Sequence, residues 1–544
     1  MPKNKRAMLA PVAVLVAGFL AGHGFLMAQS SDEQAQGAIR GTVRDSQSPL
    51  YGILVKAEAQ GENRSVTVFT DENGEYLFPS MPAGKYFVSV GMKRHAIVDV
   101  GSSPVVQDFV VELGPDIINQ TSGISWFDIL SGTEEQKRTL SYQCSGCHSI
   151  WRIVNRPRRS TEGYLSLIRW MASIGGAYRM TLEEEHYPVL AGYLNDAVQP
   201  NLRNGPRVTE AIVRPRGEGA RAVITEWNLP EEFGVFSAVR TDSKGIMWFT
   251  ISGFDGALGK LDPRTGEYQT WTAPLGDTIR TGRGPIVHDL IVDKEDNVWM
   301  TGRRIMKFDT EKEEFTYWDV PARYGWNAHT GVLDQQGNYW FTMRQGRGYI
   351  MQLNPRTGEM TGYPTPTESS GPYGLVLDNS GTGTIWFSEI DVGKVAKLDM
   401  QTGEITEYPT LISHSGPRRL DMDSKGNVWF SQSFADKIGK LDTKTMEFTD
   451  FDIQVPGRYL LPGKPGGGYP YSLKVDKNDE VWFELRNGNT IGKLNPETGD
   501  VTYTLFPEPD SGLRDPSFDT TTDRVVFIYG GAFRPSIGRV YFRE

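Results

Sequence analysis

Seven short motifs recur along the C-terminal part of the chain and constrain its fold more than anything else. They are Trp248-Phe249, Trp299-Met300, Trp340-Phe341, Trp386-Phe387, Trp429-Phe430, Trp482-Phe483 and Val526-Phe527, spaced 41 to 53 residues apart. Each follows an Asp- or Gly-containing turn. A second run comes after most of them, as in Gly259-Lys260-Leu261-Asp262, Ala396-Lys397-Leu398-Asp399 and Gly492-Lys493-Leu494-Asn495. Units of this length with four short strands each cannot bury a face alone, and stacked around an axis they form propeller blades. The seventh copy ends at Gly538-Arg539-Val540-Tyr541-Phe542, one strand short, while the segment from Ala222 to Pro230 matches Ile405-Thr406-Glu407-Tyr408-Pro409. Pairing the first segment with the last closes the ring and hides its sheet edges. The expectation is a seven-bladed propeller over residues 221–544.

Eleven residues before each motif (thirteen in the fourth copy, which has a longer turn) stand Ser237, His288, His329, Tyr373, Arg418, Tyr471 and Asp515. This position opens the innermost strand, so these residues are expected to ring the central funnel, where propellers bind ligands. The repeat, with its Trp-Phe pair and its Gly-Lys-Leu-Asp and Thr-Gly-Glu turns, resembles the virginiamycin B lyase-like propellers. The resemblance implies ring opening of a depsipeptide by elimination, with a magnesium ion and a catalytic histidine. That pattern needs a histidine, then Glu-x-His in the next blade, then a glutamate three residues after the Trp. This chain has His288, then Asn327-Ala328-His329, then Met343. Both histidines match and both carboxylates are missing, which argues against magnesium, a hard ion that needs anionic oxygen. Glu389 and Glu484 lie near the corresponding ends of other blades. The catalytic candidates are His288, His329 and Arg418. A pair of hydrogen-bonded funnel histidines, a substrate or metal site, and a face for a redox partner all stay open.

The only two cysteines lie in Cys144-Ser145-Gly146-Cys147-His148. A C-x-x-C-H run is the attachment pattern of c-type haem: two thioethers and a proximal imidazole. Zinc would need four ligands, and no second cysteine pair supplies them. The spacing of Gly132-Thr133-Glu134-Glu135 predicts a helix running toward Tyr142. A second is expected from Thr161 to Ile174, and a third capped by Thr181 and ending near Leu194. The segment resembles a compact class I-like cytochrome c, over residues 130–205. Its distal iron ligand is expected to be Met171 or Met180, with His186 third because it should sit mid-helix among acids. Cys144, Cys147 and His148 would hold one covalent haem c.

Lys3, Lys5 and Arg6 precede an apolar stretch from Ala7 to Ala28. This is the layout of a secretory signal peptide, residues 1–28, with an uncleaved membrane anchor as the alternative. Either way the rest of the chain is expected to be periplasmic or otherwise exported. Residues 37–115 alternate as short strands, with Asp71-Glu72-Asn73-Gly74 and Pro82-Ala83-Gly84 at the turns. They resemble the carboxypeptidase regulatory-like domain, an immunoglobulin-type sandwich that carries no peptidase residues here.

The expected architecture is therefore mainly β: a sandwich, a small all-α cytochrome-like domain and a seven-bladed propeller. The net charge of −10, with Lys and Arg spread throughout, gives no footprint for nucleic acid. Read from sequence alone, an exported haem protein that transfers electrons ranks first, its propeller binding a redox partner protein or small-molecule substrate. The alternative is a propeller enzyme acting on a small molecule in the funnel, either a haem-coupled oxidoreductase or a C–O lyase.

Overall fold

The computed structural model describes residues 37–544, except 92, 114–116, 118–119, 121–124, 145–149, 155–156, 175–182, 199–211, 234, 253–255, 275–286, 326–327, 379, 454–467, 509–512 and 532–534. Six four-stranded antiparallel sheets follow one another from Val235 to Leu505. The seventh blade is composite: Ser517–Phe518, Phe527–Gly530 and Ser536–Phe542 are completed by Ala222–Asn228, with Ile537 opposite Trp227 and Phe542 opposite Ala222. The two termini of the propeller thus share one blade.

Each blade is built by the same local chemistry. In blades one, two, three, five and six the Trp indole Nε1–H donates to the Asp six residues earlier, at 2.8–2.9 Å. The same Asp caps the backbone of the turn between the two inner strands. In blade four the longer turn moves the aspartate out of reach, and Asp378 caps Ser380 and Thr382 instead. Each Trp then packs against the next blade: Trp248 on Leu290 and Met300, Trp340 on Phe387, Trp429 on Phe483, Trp482 on Phe527. Val526 cannot span that gap, and in its place Trp227 from the closing strand fills the seam between blades seven and one. The glycine of Gly-Lys-Leu-Asp has an equally direct cause. A Cβ at Gly259, Gly439 or Gly492 would lie 2.2–2.3 Å from the ring of Phe249, Phe430 or Phe483 on the neighbouring strand.

The N-terminal strands form a sandwich around Ile39, Val55, Val68, Tyr76 and Val88. Strands Lys93–Val100, Val105–Val106 and Phe109–Val110 add to those legible in the sequence. The outer edge of Ala222–Asn228, expected to be the edge of the seventh blade, is covered. Arg64–Phe69 of the sandwich pairs with it antiparallel, Arg64 opposite Trp227 and Thr67 opposite Ile224, so blade seven and a sandwich sheet make one eight-stranded sheet. The cores interpenetrate: Leu54 and Phe69 pack with propeller residues, and Val223 packs in the sandwich. Buried Lys56 pairs with Glu508 at 2.9 Å across the junction, and Tyr529 donates to Glu226 at 2.7 Å.

Between these units lies a helical segment with its own core of Trp126, Phe127, Leu140, Ile150, Tyr164, Ile168, Leu190 and Leu194. Its main helices are Glu134–Cys144, Thr161–Ile174 and Tyr187–Ala197. The third starts later than expected. Glu184–His186 is a 3₁₀ turn, and Pro188 in the first turn of Tyr187–Ala197 makes His186 its N-cap. His186 is therefore an exposed cap residue and not a mid-helix one. Cys147, His148, Met180, Thr181 and the signal segment lie outside the described residues. Among the described residues no helix is long and apolar enough to cross a membrane.

The glycine contact predicts that Gly492→Ala forces the Phe483 ring out of its place. It should lower unfolding free energy by about 1–3 kcal/mol, the usual cost of overpacking. Asp476→Ala should cost a similar amount, about 1–3 kcal/mol, by leaving the buried Trp482 N–H unpaired. Denaturant unfolding checks both.

Candidate active site in the central funnel

The innermost strands share an irregularity that shapes the funnel. The register with the second strand shifts between Phe236 and Val239, Ala328 and Gly331, Pro372 and Leu375, Pro417 and Leu420, and Pro470 and Leu473. A bulge leaves two residues unpaired and re-aims their side chains. Those pairs are Ser237-Ala238, His329-Thr330, Tyr373-Gly374, Arg418-Arg419 and Tyr471-Ser472, so in these five blades the candidate from the sequence is the first residue of the bulge. In blade two, His288 precedes strand Leu290–Val292 and donates its N–H to Thr301 at 2.9 Å.

His288, His329, Tyr373, Arg418 and Tyr471 come together as one buried group. The rings of His288 and His329 lie 3.9 Å apart between centroids, as do those of His329 and Tyr373. The hydroxyls of Tyr373 and Tyr471 meet at 2.6 Å, bridging blades four and six. Arg418 lies over Tyr471 at 4.3 Å, with Arg486 over the same ring at 3.6 Å. Arg418 also donates to the hydroxyls of Tyr469 and Tyr373. Tyr469 holds a φ of 57°, rare for a bulky side chain, and Asp436 Oδ1 accepts its N–H at 2.8 Å. Ser237 is buried at the same level of blade one.

Asp515 departs from this arrangement. It bridges to Ala238, the second residue of its bulge, and joins Asp289, Arg240 and Arg419 in a buried ion cluster. Arg514, the residue before it, acts by its charge on both His288 and Tyr471. The inner strand of blade seven shrinks to Ser517–Phe518.

The electrostatics follow from burial among guanidiniums. Burial, then the charges of Arg514, Arg419 and Arg344, hold His288 well below the ordinary imidazole range. Burial, His288 and Arg419 do the same to His329. Both imidazoles are uncharged at neutral pH. Burial opposes ionisation of Tyr471, but Arg418, Arg486 and Arg514 outweigh it and bring the phenol below its ordinary value. Asp289 and Asp515 titrate as a pair. Burial and its neighbour push Asp289 up, while Arg240 and Arg419 overcome burial and hold Asp515 down. Burial raises Glu484 to about 7, although it accepts the N–H of Leu513 at 2.6 Å.

His288 Nδ1 and His329 Nε2 are buried without a hydrogen-bond partner. His329 Nδ1 meets Thr330 Oγ1 at 3.0 Å, and Arg419 donates to that hydroxyl at 2.9 Å. Among the described residues, His288 and His329 belong to no group of three side chains placed to hold a metal ion. Met343 is fully buried in an apolar cluster, and Glu389 belongs to blade four, whose outer-strand Glu407 pairs with Lys394. The residues present do not fit magnesium.

Residues 210–459 match the virginiamycin B lyase family. Residues 38–112 match the carboxypeptidase regulatory-like domain. Neither match reaches the helical segment. Among solved structures, a virginiamycin B lyase from Staphylococcus aureus is 19% identical, with a TM-score of 0.50 over 59% of this chain and 100% of its own. A streptogramin B lyase is 21% identical, with a TM-score of 0.51 over 60% of this chain and 100% of its own. A catalytically inactive form of the S. aureus lyase with quinupristin is similar to the same degree, at 19% and 0.50, again over 59% and 100%. No curated protein matches the chain. At these identities the likeness shows the fold.

Sequence counting missed half of the site: Thr330 and Arg419 as second bulge residues, Asp289 just before the inner strand of blade two, and Arg344, Arg486 and Arg514 flanking other strands. Only Arg419 left a signal, as the twin of Arg418.

The cation field predicts that one tyrosine ionises below the ordinary phenol range, visible in the near-ultraviolet tyrosinate band and absent in Tyr471→Phe. Because its folded pKa lies below the unfolded one, ionised Tyr471 adds stability that is complete above the ordinary phenol range. That stability is lost as pH falls through the folded value.

Proposed function

We propose that the chain is an exported enzyme whose funnel performs a proton-abstracting elimination on a small molecule. The observation that carries this reading is the uncharged His288–His329 pair, with nitrogens unpartnered, beside buried guanidiniums. In the tautomer whose Nδ1–H donates to Thr330, His329 presents its Nε2 lone pair as a base. It takes a proton from the carbon next to a carbonyl. The C–H electron pair becomes a C=C bond, the neighbouring C–O bond breaks, and the departing oxygen keeps that bond's pair. A metal would otherwise offset the developing negative charge; here Arg418, held by the hydroxyls of Tyr469 and Tyr373, supplies the positive field. The propeller match and the likeness to two lyases support this reading over electron transfer.

Turnover of depsipeptide or ester substrates should give an alkene product without incorporating oxygen from water, and should survive a metal chelator. His329→Ala should cut the rate by about 10²- to 10⁴-fold, the usual worth of a general base. A hydrolysed product, or turnover indifferent to His329→Ala and His288→Ala, would overturn the assignment.

A second reading rests on Cys144, which ends helix Glu134–Cys144 and packs against the helical core. That apolar flank fits a covalent haem held by Cys144 and Cys147, with His148 as proximal ligand and Met171 or Met180 distal. When bound, the group supplies one-electron exchange. Chain exported from a host with c-type maturation should give a covalent pyridine haemochrome, lost when both cysteines become Ala. Folded full-length protein without haem ends this reading.

A further inference from the structure

Six guanidiniums converge on the funnel: Arg240, Arg344, Arg418, Arg419, Arg486 and Arg514. Arg344 and Arg486 directly follow the second strands Tyr339–Met343 and Val481–Leu485, which end beside the start of the inner strands. Arg514 precedes the inner strand of blade seven, so these three stand at the end where the ring residues lie. Among the described residues, four carboxylates oppose them. Asp515 contacts Arg240, and Asp391 lies 3.7 Å from Arg344. Asp289 is 3.9 Å from Arg419, and Glu484 acts on Arg486. Asp289 and Glu484 are both pushed toward their neutral forms. Among the described residues the cluster thus holds more positive than negative charge even with Tyr471 ionised, and Arg418, Arg419 and Arg486 are at most 3% exposed. Uncompensated buried cations are costly, and their usual resolution is an anion.

Two of them keep donors without an acceptor: Nε and Nη2 of Arg419, and Nε of Arg514. Guanidinium forks of this kind match the paired oxygens of carboxylate and phosphate. The lowered phenol of Tyr471 registers the same field, which adds to burial in depressing the imidazoles of His288 and His329.

We propose that the funnel takes a small molecule that carries an oxyanion, a carboxylate or a phosphate group, whose oxygens are received by Arg419 and Arg514 beside the histidine pair. This rests on the elimination reading above and names the substrate class of the same site.

The test is calorimetric titration and thermal unfolding of the full-length chain with benzoate, inorganic phosphate and, as a neutral match to benzoate, benzamide. At least one oxyanion should bind and raise Tm, while benzamide should not. Benzoate alone marks a carboxylate substrate, and phosphate alone a phosphorylated one. Arg419→Gln should weaken that binding about thirtyfold, as expected for a buried charged partner. Arg514→Gln, at a less buried position outside the ion cluster, gives the same reading if Arg419→Gln does not fold. The proposal is overturned if the three compounds behave alike, if none binds, or if binding is unchanged in the folded variants. Oxyanion binding without His329-dependent turnover would sink the elimination and leave this inference standing. Elimination of neutral esters at rates indifferent to Arg514→Gln would do the reverse.

Discussion

In five of the seven blades, the bond from the Trp Nε1–H to the aspartate six residues before it carries more of this molecule than its size implies. It fixes the indole as a spacer against the next blade, and the same carboxylate ties the turn that starts the second strand. Blade-to-blade spacing therefore follows from a contact inside one hairpin. Removing a large buried aromatic costs about 3–5 kcal/mol, so the ring is held by repeated local units more than by any central contact. That leaves the funnel free to hold what a core would reject: guanidiniums, uncharged histidines and a pair of buried aspartates.

The bulges turn this frame into a site. An unbroken inner strand would place one residue per blade in the funnel; the bulges place two, at adjacent levels. The first level is aromatic and imidazole, the second ionic, with Arg419, Asp289 and Asp515 in mutual reach. Arg418 and Arg419 link them, because neighbours in sequence face the same way only where the strand is irregular. The second level in turn acts on the first, since the Arg419 charge adds to burial in keeping both histidines neutral.

Much of this was legible in the residues. Trp-Phe pairs, Gly-Lys-Leu-Asp turns and the orphan strand from Ala222 announced the ring, since each reflects contacts within one or two strands. Counting back from the Trp found His288, His329, Tyr373, Arg418 and Tyr471, because hairpin length is nearly constant. The count slipped at Asp515, where the hairpin is irregular. It could not find Arg344 or Arg486, which reach the funnel from the far ends of second strands. Met343 stands in the sequence where the lyase pattern has a glutamate, while the arginines of the funnel left no local mark. The pairing of Arg64–Phe69 with Ala222–Asn228 was invisible for a different reason: register between segments so far apart is set by two cores meeting, not by either segment's pattern.

That shared sheet also bears on how the chain is made. The strand from Ala222 to Asn228 emerges from synthesis more than three hundred residues before its partner, Ser536–Phe542. Throughout that interval an open strand would be a template for wrong partners. Arg64–Phe69 is already present and occupies one side of it in native register. The sandwich can therefore serve as a built-in chaperone for the closure, holding the first propeller strand until the last one arrives.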